Sequence, residues 1–99
     1  MDFEKLLKNF LDDQKRLISY PSKKKLKIIS LMYLATKFEQ GRIYSEKEVN
    51  YILLDWTVFC DYALLRREMY NCRFFDRKND GSQYWLEEKQ PLLSDFRLD

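Results

Sequence analysis

The tetrad Ser45-Glu46-Lys47-Glu48 constrains the fold more than any other stretch of this sequence. Its Ser-x-x-Glu form is that of a capping box, in which the serine side chain accepts from the amide three residues on and the glutamate returns to the serine amide. Tyr44 before the cap and Val49 after it have the spacing of a hydrophobic staple. A helix therefore starts at Ser45, carries Val49, Ile52, Leu53 and Trp56 on its inner face, and ends near Asp55 or Trp56. Thr57, Val58 and Phe59 make a short turn, and Asp61 caps a second helix over residues 61–71. There Leu65 and Met69 point inward with Tyr62 and Cys72 beside them, while Ala63, Arg66, Arg67 and Tyr70 take exposed angles. Two helices of about eleven residues joined by so short a turn fit a helix-turn-helix, with 61–71 as the helix that would read a ligand surface.

Downstream, Asp80-Gly81 lies between the aromatic-rich segments Arg73-Phe74-Phe75-Asp76-Arg77 and Gln83-Tyr84-Trp85-Leu86, a favoured hairpin turn. Upstream, Phe3, Leu6, Leu7, Phe10 and Leu11 repeat at helical spacing, so residues 1–15 read as an N-terminal helix with one apolar stripe. Arg16-Leu17-Ile18-Ser19-Tyr20, stopped by Pro21, reads as a short extended segment that could lie as a third strand beside the hairpin. Ser22 is the expected cap of a helix over residues 23–38, apolar on most sides and therefore central; Gly41 stops it. The expectation is a mainly α fold with a small β-hairpin, arranged as a winged helix. One domain spans 1–99: the N-terminal helix, a winged-helix-like core over 16–86, and a tail over 87–99. The tail, with Leu92, Leu93, Phe96 and Leu98, is either docked or a partner-binding segment. Phe3, Leu7, Phe10 and Leu11 could pair with the tail of another subunit.

Composition supports one packed core: seven Phe, seven Tyr and two Trp stand against two Gly and two Pro. Cys60 and Cys72 sit too far apart along one helix to bridge, and without any histidine a metal site lacks ligands. No cofactor is expected. The first apolar stretch is interrupted by charges and does not resemble a signal peptide, and no run is long enough to span a bilayer, so the expected location is the cytoplasm. An enzyme is not expected. General base work would fall to a carboxylate or a thiol, yet Glu46 and Glu48 do not share a helix face and Cys60 has no base beside it. Gly41 and Gly81 are isolated, so no phosphate loop is present.

Several separated blocks resemble one known family. Tyr44-Ser45-Glu46-Lys47-Glu48-Val49-Asn50, Asp61 before Leu65-Arg66-Arg67, and Gly81-Ser82-Gln83-Tyr84-Trp85 are similar to the prokaryotic family of uncharacterised domains numbered 2087. Tyr20-Pro21-Ser22-Lys23-Lys24-Lys25 and Leu34-Ala35-Thr36-Lys37-Phe38 also fit its pattern, and the likeness covers about residues 16–86. Leu64 replaces a usual small residue, and Cys72 and Arg73 stand where an acidic or Gly-containing turn is common. The resemblance implies a winged-helix-like domain found alone or attached to transcriptional regulators, and hence a role in gene regulation.

The net charge of +2 is modest for a nucleic-acid binder, but residues 21–39 hold five lysines against one glutamate. The sequence therefore supports a reading in which double-stranded DNA is bound by the helix 61–71 and a wing over 76–83. The candidate contacts are Lys23, Lys24, Lys25, Tyr62, Ala63, Arg66, Arg67, Arg77, Lys78 and Asn79, with a homodimer or partner protein completing the unit. Each has a plain counterpart: solvated lysines at a helix start, Arg66 paired with Asp61 or Glu48, and Arg67 solvated. The rival function is a protein-interaction or ligand-sensing module that keeps the winged-helix fold.

Overall fold

A computed structural model describes residues 1–98. Its elements run α1 (Phe3–Leu6), a 3-10 turn (Lys8–Phe10), α2 (Lys24–Ala35), α3 (Glu46–Asp55), α4 (Tyr62–Asn71), β1 (Phe75–Arg77), β2 (Tyr84–Leu86) and a 3-10 turn (Leu93–Asp95). Three longer helices followed by an antiparallel hairpin give the winged-helix arrangement expected from the sequence.

α2 is the centre of the molecule, burying Ile28, Ile29, Leu31, Tyr33, Leu34 and Ala35. Its start departs from expectation. Lys23, not Ser22, is the capping residue, and no side chain accepts from the free amides. The helix also ends at Ala35, three residues early, because the chain leaves it through tighter turns in which Thr36, Lys37 and Phe38 amides bond to Tyr33, Leu34 and Ala35 carbonyls. Gly41, with φ at +79°, shapes the following turn rather than stopping the helix.

α3 begins as the capping box requires. Glu48 N donates to Ser45 Oγ at 3.1 Å, and Ser45 N donates to Glu48 Oε1 at 2.9 Å. Tyr44 and Val49 are both buried in the main core with Leu53, Leu65 and Met69, while Ile52 and Trp56 pack against it partly covered. α4 is capped by Asp61, which accepts from Leu64 N. Its end is a Schellman turn: Phe74 N donates to Met69 O at 2.9 Å and Arg73 N to Tyr70 O at 3.1 Å. Arg73 holds the left-handed position with φ at +69°, a place glycine usually takes. In the hairpin Phe75 pairs with Leu86, Asp76 with Trp85 and Arg77 with Tyr84, which puts Phe75, Tyr84 and Leu86 into the core.

Two expectations are corrected. The N-terminal helix over residues 1–15 shrinks to α1 and one 3-10 turn. Leu11 is extended, Asp12 accepts from the amides of Gln14 and Arg16, and Lys15 is left-handed with φ at +64°, so this side-chain turn outcompetes helix. The segment at residues 16–20 does not join the hairpin. Leu17 bridges Leu11 and Thr57 instead, and the third chain beside the hairpin is Tyr44, paired with Tyr84 through two 2.8 Å bonds. The apolar stripe of the N-terminus is covered within the chain except at Leu6, which stays exposed: Leu7 is buried with Ile29 and Tyr33, and Phe3, Phe10, Leu11 and Leu93 of the tail pack against this cluster. The tail is docked: Phe96 stacks on Phe74 and Gln90 Nε2 donates to Phe74 O at 2.9 Å. It is therefore held by its own chain instead of being free for the first helix of another.

Candidate nucleic-acid interface

Leu65 and Met69 are fully buried and fix the rotation of α4. With about 100° between successive residues, Arg66 and Tyr70 then lean to the wing side, Glu68 and Cys72 to the side of α2, and Ala63, Arg67 and Asn71 outward. Ala63, Arg67 and Asn71 are exposed. Tyr62 falls on the inward side and packs against the core, so its ring is not part of the open face.

Arg66 does not take the exposed angle expected of it. Its side chain is 18% exposed, its Nη2 lies 3.1 Å from Glu46 Oε1, and its Nη1 donates to Asn50 Oδ1. Both partners are on α3, so the guanidinium ties the two helices of the helix-turn-helix together. The expected partners Asp61 and Glu48 are engaged elsewhere, Asp61 as the cap of α4 and Glu48 in its own box and with Arg42.

The wing is held against α4 by a second guanidinium. Arg77 lies over the Tyr70 ring, 4.7 Å from its centroid, and its Nη1 donates to the carbonyls of Lys78 and Asn79. The hairpin connection closes with Gly81 N donating to Lys78 O at 2.9 Å, while Asp80 accepts from the amide and hydroxyl of Ser82. Those bonds from Ser82 keep the Asp80 carboxyl below the usual carboxylate range. Gly81 has φ at +74°, and a Cβ there would meet Arg77 Nη1 at 3.4 Å, so this glycine serves both the turn and the arginine's seat. Lys78 and Asn79 are exposed at the wing tip.

Between α4 and the wing lies a cleft of about 360 Å³, with Arg66, Arg67 and Arg77 against Glu46 and Asp80. Lys23, Lys24 and Lys25 are exposed at the start of α2. Burial raises the pKa of Cys72, Glu68 raises it further, and Lys24 partly opposes them, which locates that lysine near the end of α4. Burial likewise raises the pKa of Tyr20, again with a contribution from Glu68. The side of α4 toward α2 is therefore mixed, with the Lys24 ammonium and the Glu68 carboxylate both acting on Cys72.

The structure thus brings Ala63, Arg67 and Arg77 to one cleft, leaves Lys78 and Asn79 exposed at the wing tip with Lys78 lining the opposite face of the hairpin, keeps Lys23, Lys24 and Lys25 exposed at the start of α2, and withdraws Tyr62 and most of Arg66. Arg67 and Lys78 form no ion pair among the described residues. Sequence reasoning missed Glu46 and Asn50 as partners of Arg66, and Asn71 as an outward residue. The signal for Asn71 was available, since it stands four residues after Arg67. Among the described residues no group of carboxylates and thiols has metal-site geometry, and no helix is long and apolar enough to cross a membrane.

Compared with known proteins, residues 16–86 match the model of a family described as an uncharacterized protein conserved in bacteria (DUF2087). The match begins at the extended segment before α2 and ends with β2, so it takes in the helix-turn-helix and the whole wing. No curated protein and no solved structure matches the chain.

Proposed function

The chain belongs to this bacterial family, and from that membership and the winged-helix arrangement we propose that it is a DNA-binding regulatory domain of the cytoplasm. In this reading α4 enters the major groove and the wing lies along the backbone. The observation that carries it is the open face of α4: Arg67 is exposed and unpaired among the described residues, with Arg77 beside it in the cleft toward the wing and Lys24 near Cys72 on the side of α2. Cations on both flanks suit the two phosphate walls of a groove. Arg66 belongs to the scaffold and Tyr62 to the core. One module of this size covers little duplex, so two copies on neighbouring half-sites, about 34 Å apart, make the binding unit. The reading needs no cofactor, metal or catalytic group.

Fluorescence anisotropy with labelled duplex over a series of salt concentrations tests it. The expected result is binding whose log affinity falls linearly with log salt, by roughly 0.9 for each phosphate neutralised. No association at low ionic strength would remove the reading.

A second reading is favoured by a specific feature. A larger cleft, about 840 Å³, opens on the far side of the hairpin and is bordered by Ile43, Trp85, Lys78, Glu87 and Glu88. Ile43 is 58% exposed there. A cleft of apolar side chains and mixed charge away from α4 suits a protein or ligand rather than DNA, and makes the chain an interaction module. Light scattering with and without duplex separates the two: a DNA-dependent pair of copies supports the first, and a monomer indifferent to DNA the second.

A further inference from the structure

Ala63, Arg67 and Asn71 form a single row on the outward face of α4, each four positions after the last. Four residues of helix turn about 400° and rise about 6 Å, so the row drifts only about 40° per step and stays on one face. None of the three side chains makes a hydrogen bond or ion pair among the described residues, whereas Arg66 and Arg77 on the wing flank are committed to Glu46, Asn50 and Tyr70. The row is thus chemically unlike its flanks. It offers a bare methyl, a guanidinium fork and a carboxamide, all free to meet an outside surface.

These three groups match three base edges of the major groove. A methyl packs on the methyl of thymine, an arginine fork fits O6 and N7 of guanine, and an asparagine amide fits N6 and N7 of adenine. Resting on the DNA-binding reading above, we infer that Ala63, Arg67 and Asn71 are the residues that choose the DNA sequence. Arg67 selects a central guanine, with a thymine toward Ala63 and an adenine toward Asn71. A 6 Å step along the helix corresponds to about two base-pair steps of roughly 3.4 Å, so the preferred bases recur at about every second position. Lys78 at the wing tip and the lysines of α2 hold the backbone and carry no base preference.

Selection from a random double-stranded DNA library, using the full 99-residue chain and its Arg67→Ala and Asn71→Ala variants, tests this. The wild type is expected to enrich a motif with one dominant guanine, preferred about 10- to 100-fold over other bases there. Arg67→Ala should flatten that position alone, and Asn71→Ala the adenine position alone. Lys78→Ala should weaken every sequence equally and leave the motif intact. The inference is overturned if the wild type binds duplex without base preference, or if Arg67→Ala weakens all sequences alike, which would make Arg67 another phosphate contact. A wild type that binds no duplex at low ionic strength is a different result and removes the DNA-binding reading itself. Thermal melts of the variants should coincide with the wild type, because none of the three side chains holds the fold.

Discussion

Arg66 and Arg67 are neighbours in sequence and opposites in the folded chain. Arg66 turns toward α3 and is closed in by Glu46 and Asn50, and Arg67, one residue on, faces solvent. The same division separates the two flanks of α4 as wholes. The wing side is a packed assembly in which each guanidinium already has a protein partner, and the outward side is a row of side chains with none. A pair of adjacent arginines is therefore not a cationic unit. The rotation fixed by Leu65 and Met69 decides which of them builds the scaffold and which is offered to a partner.

Leu65→Ala breaks the comparison most severely, because it removes the residue that sets the rotation. It should cost about 2 to 5 kcal/mol, read from denaturant unfolding monitored by circular dichroism. Arg66→Ala should cost about 1 to 2 kcal/mol, since it leaves the Asn50 and Glu46 acceptors without their donor. Ser45→Ala should cost about 1 kcal/mol by removing the cap of α3, the helix whose first turn presents Glu46 to Arg66. A smaller effect appears only in acid. The Ser45 amide holds the Glu48 carboxyl below the usual carboxylate range, with help from the Ser45 hydroxyl and Arg42. A carboxylate lowered in the folded state contributes stability that is complete above its unfolded value and lost as pH falls through the folded one. Glu48→Gln should therefore flatten the fall in unfolding midpoint with acid, seen by repeating urea titrations from neutral pH downward. Arg67→Ala should be the mildest change of all, within about 0.5 kcal/mol of wild type.

Much of the fold was legible because its local signals are short-range. The Ser45–Glu48 box, the Asp61 cap and the Asp80-Gly81 turn each act within a few residues, and all three stand where the spacing put them. The N-terminal helix failed for the same kind of reason. Of its apolar repeat Leu7 is buried, Phe3, Phe10 and Leu11 are half-buried and Leu6 is exposed, and Asp12 satisfies two backbone amides and ends the helical path before the stripe is complete. The pairing of Leu17 with Thr57, and of Tyr44 with Tyr84, depends on which segments meet in space, and no local pattern carries that. The site divided likewise. Arg67, Lys78 and Asn79 are exposed as their positions on helix and turn implied. A paired, structural Arg66 stood among the alternatives of the sequence, but its partners Glu46 and Asn50, sixteen or more residues away on a facing helix, carry no local signal.

The most direct test of the account sets Arg66→Ala beside Arg67→Ala and measures melting temperature and duplex affinity for both. Arg67→Ala should keep the wild-type melting temperature and lose roughly ten-fold in affinity for its preferred duplex. Arg66→Ala should melt several degrees lower yet bind nearly as well at temperatures where it is folded. Equal binding by Arg67→Ala and the wild type, or lost binding in a folded Arg66→Ala, would contradict the division of labour on which the account stands.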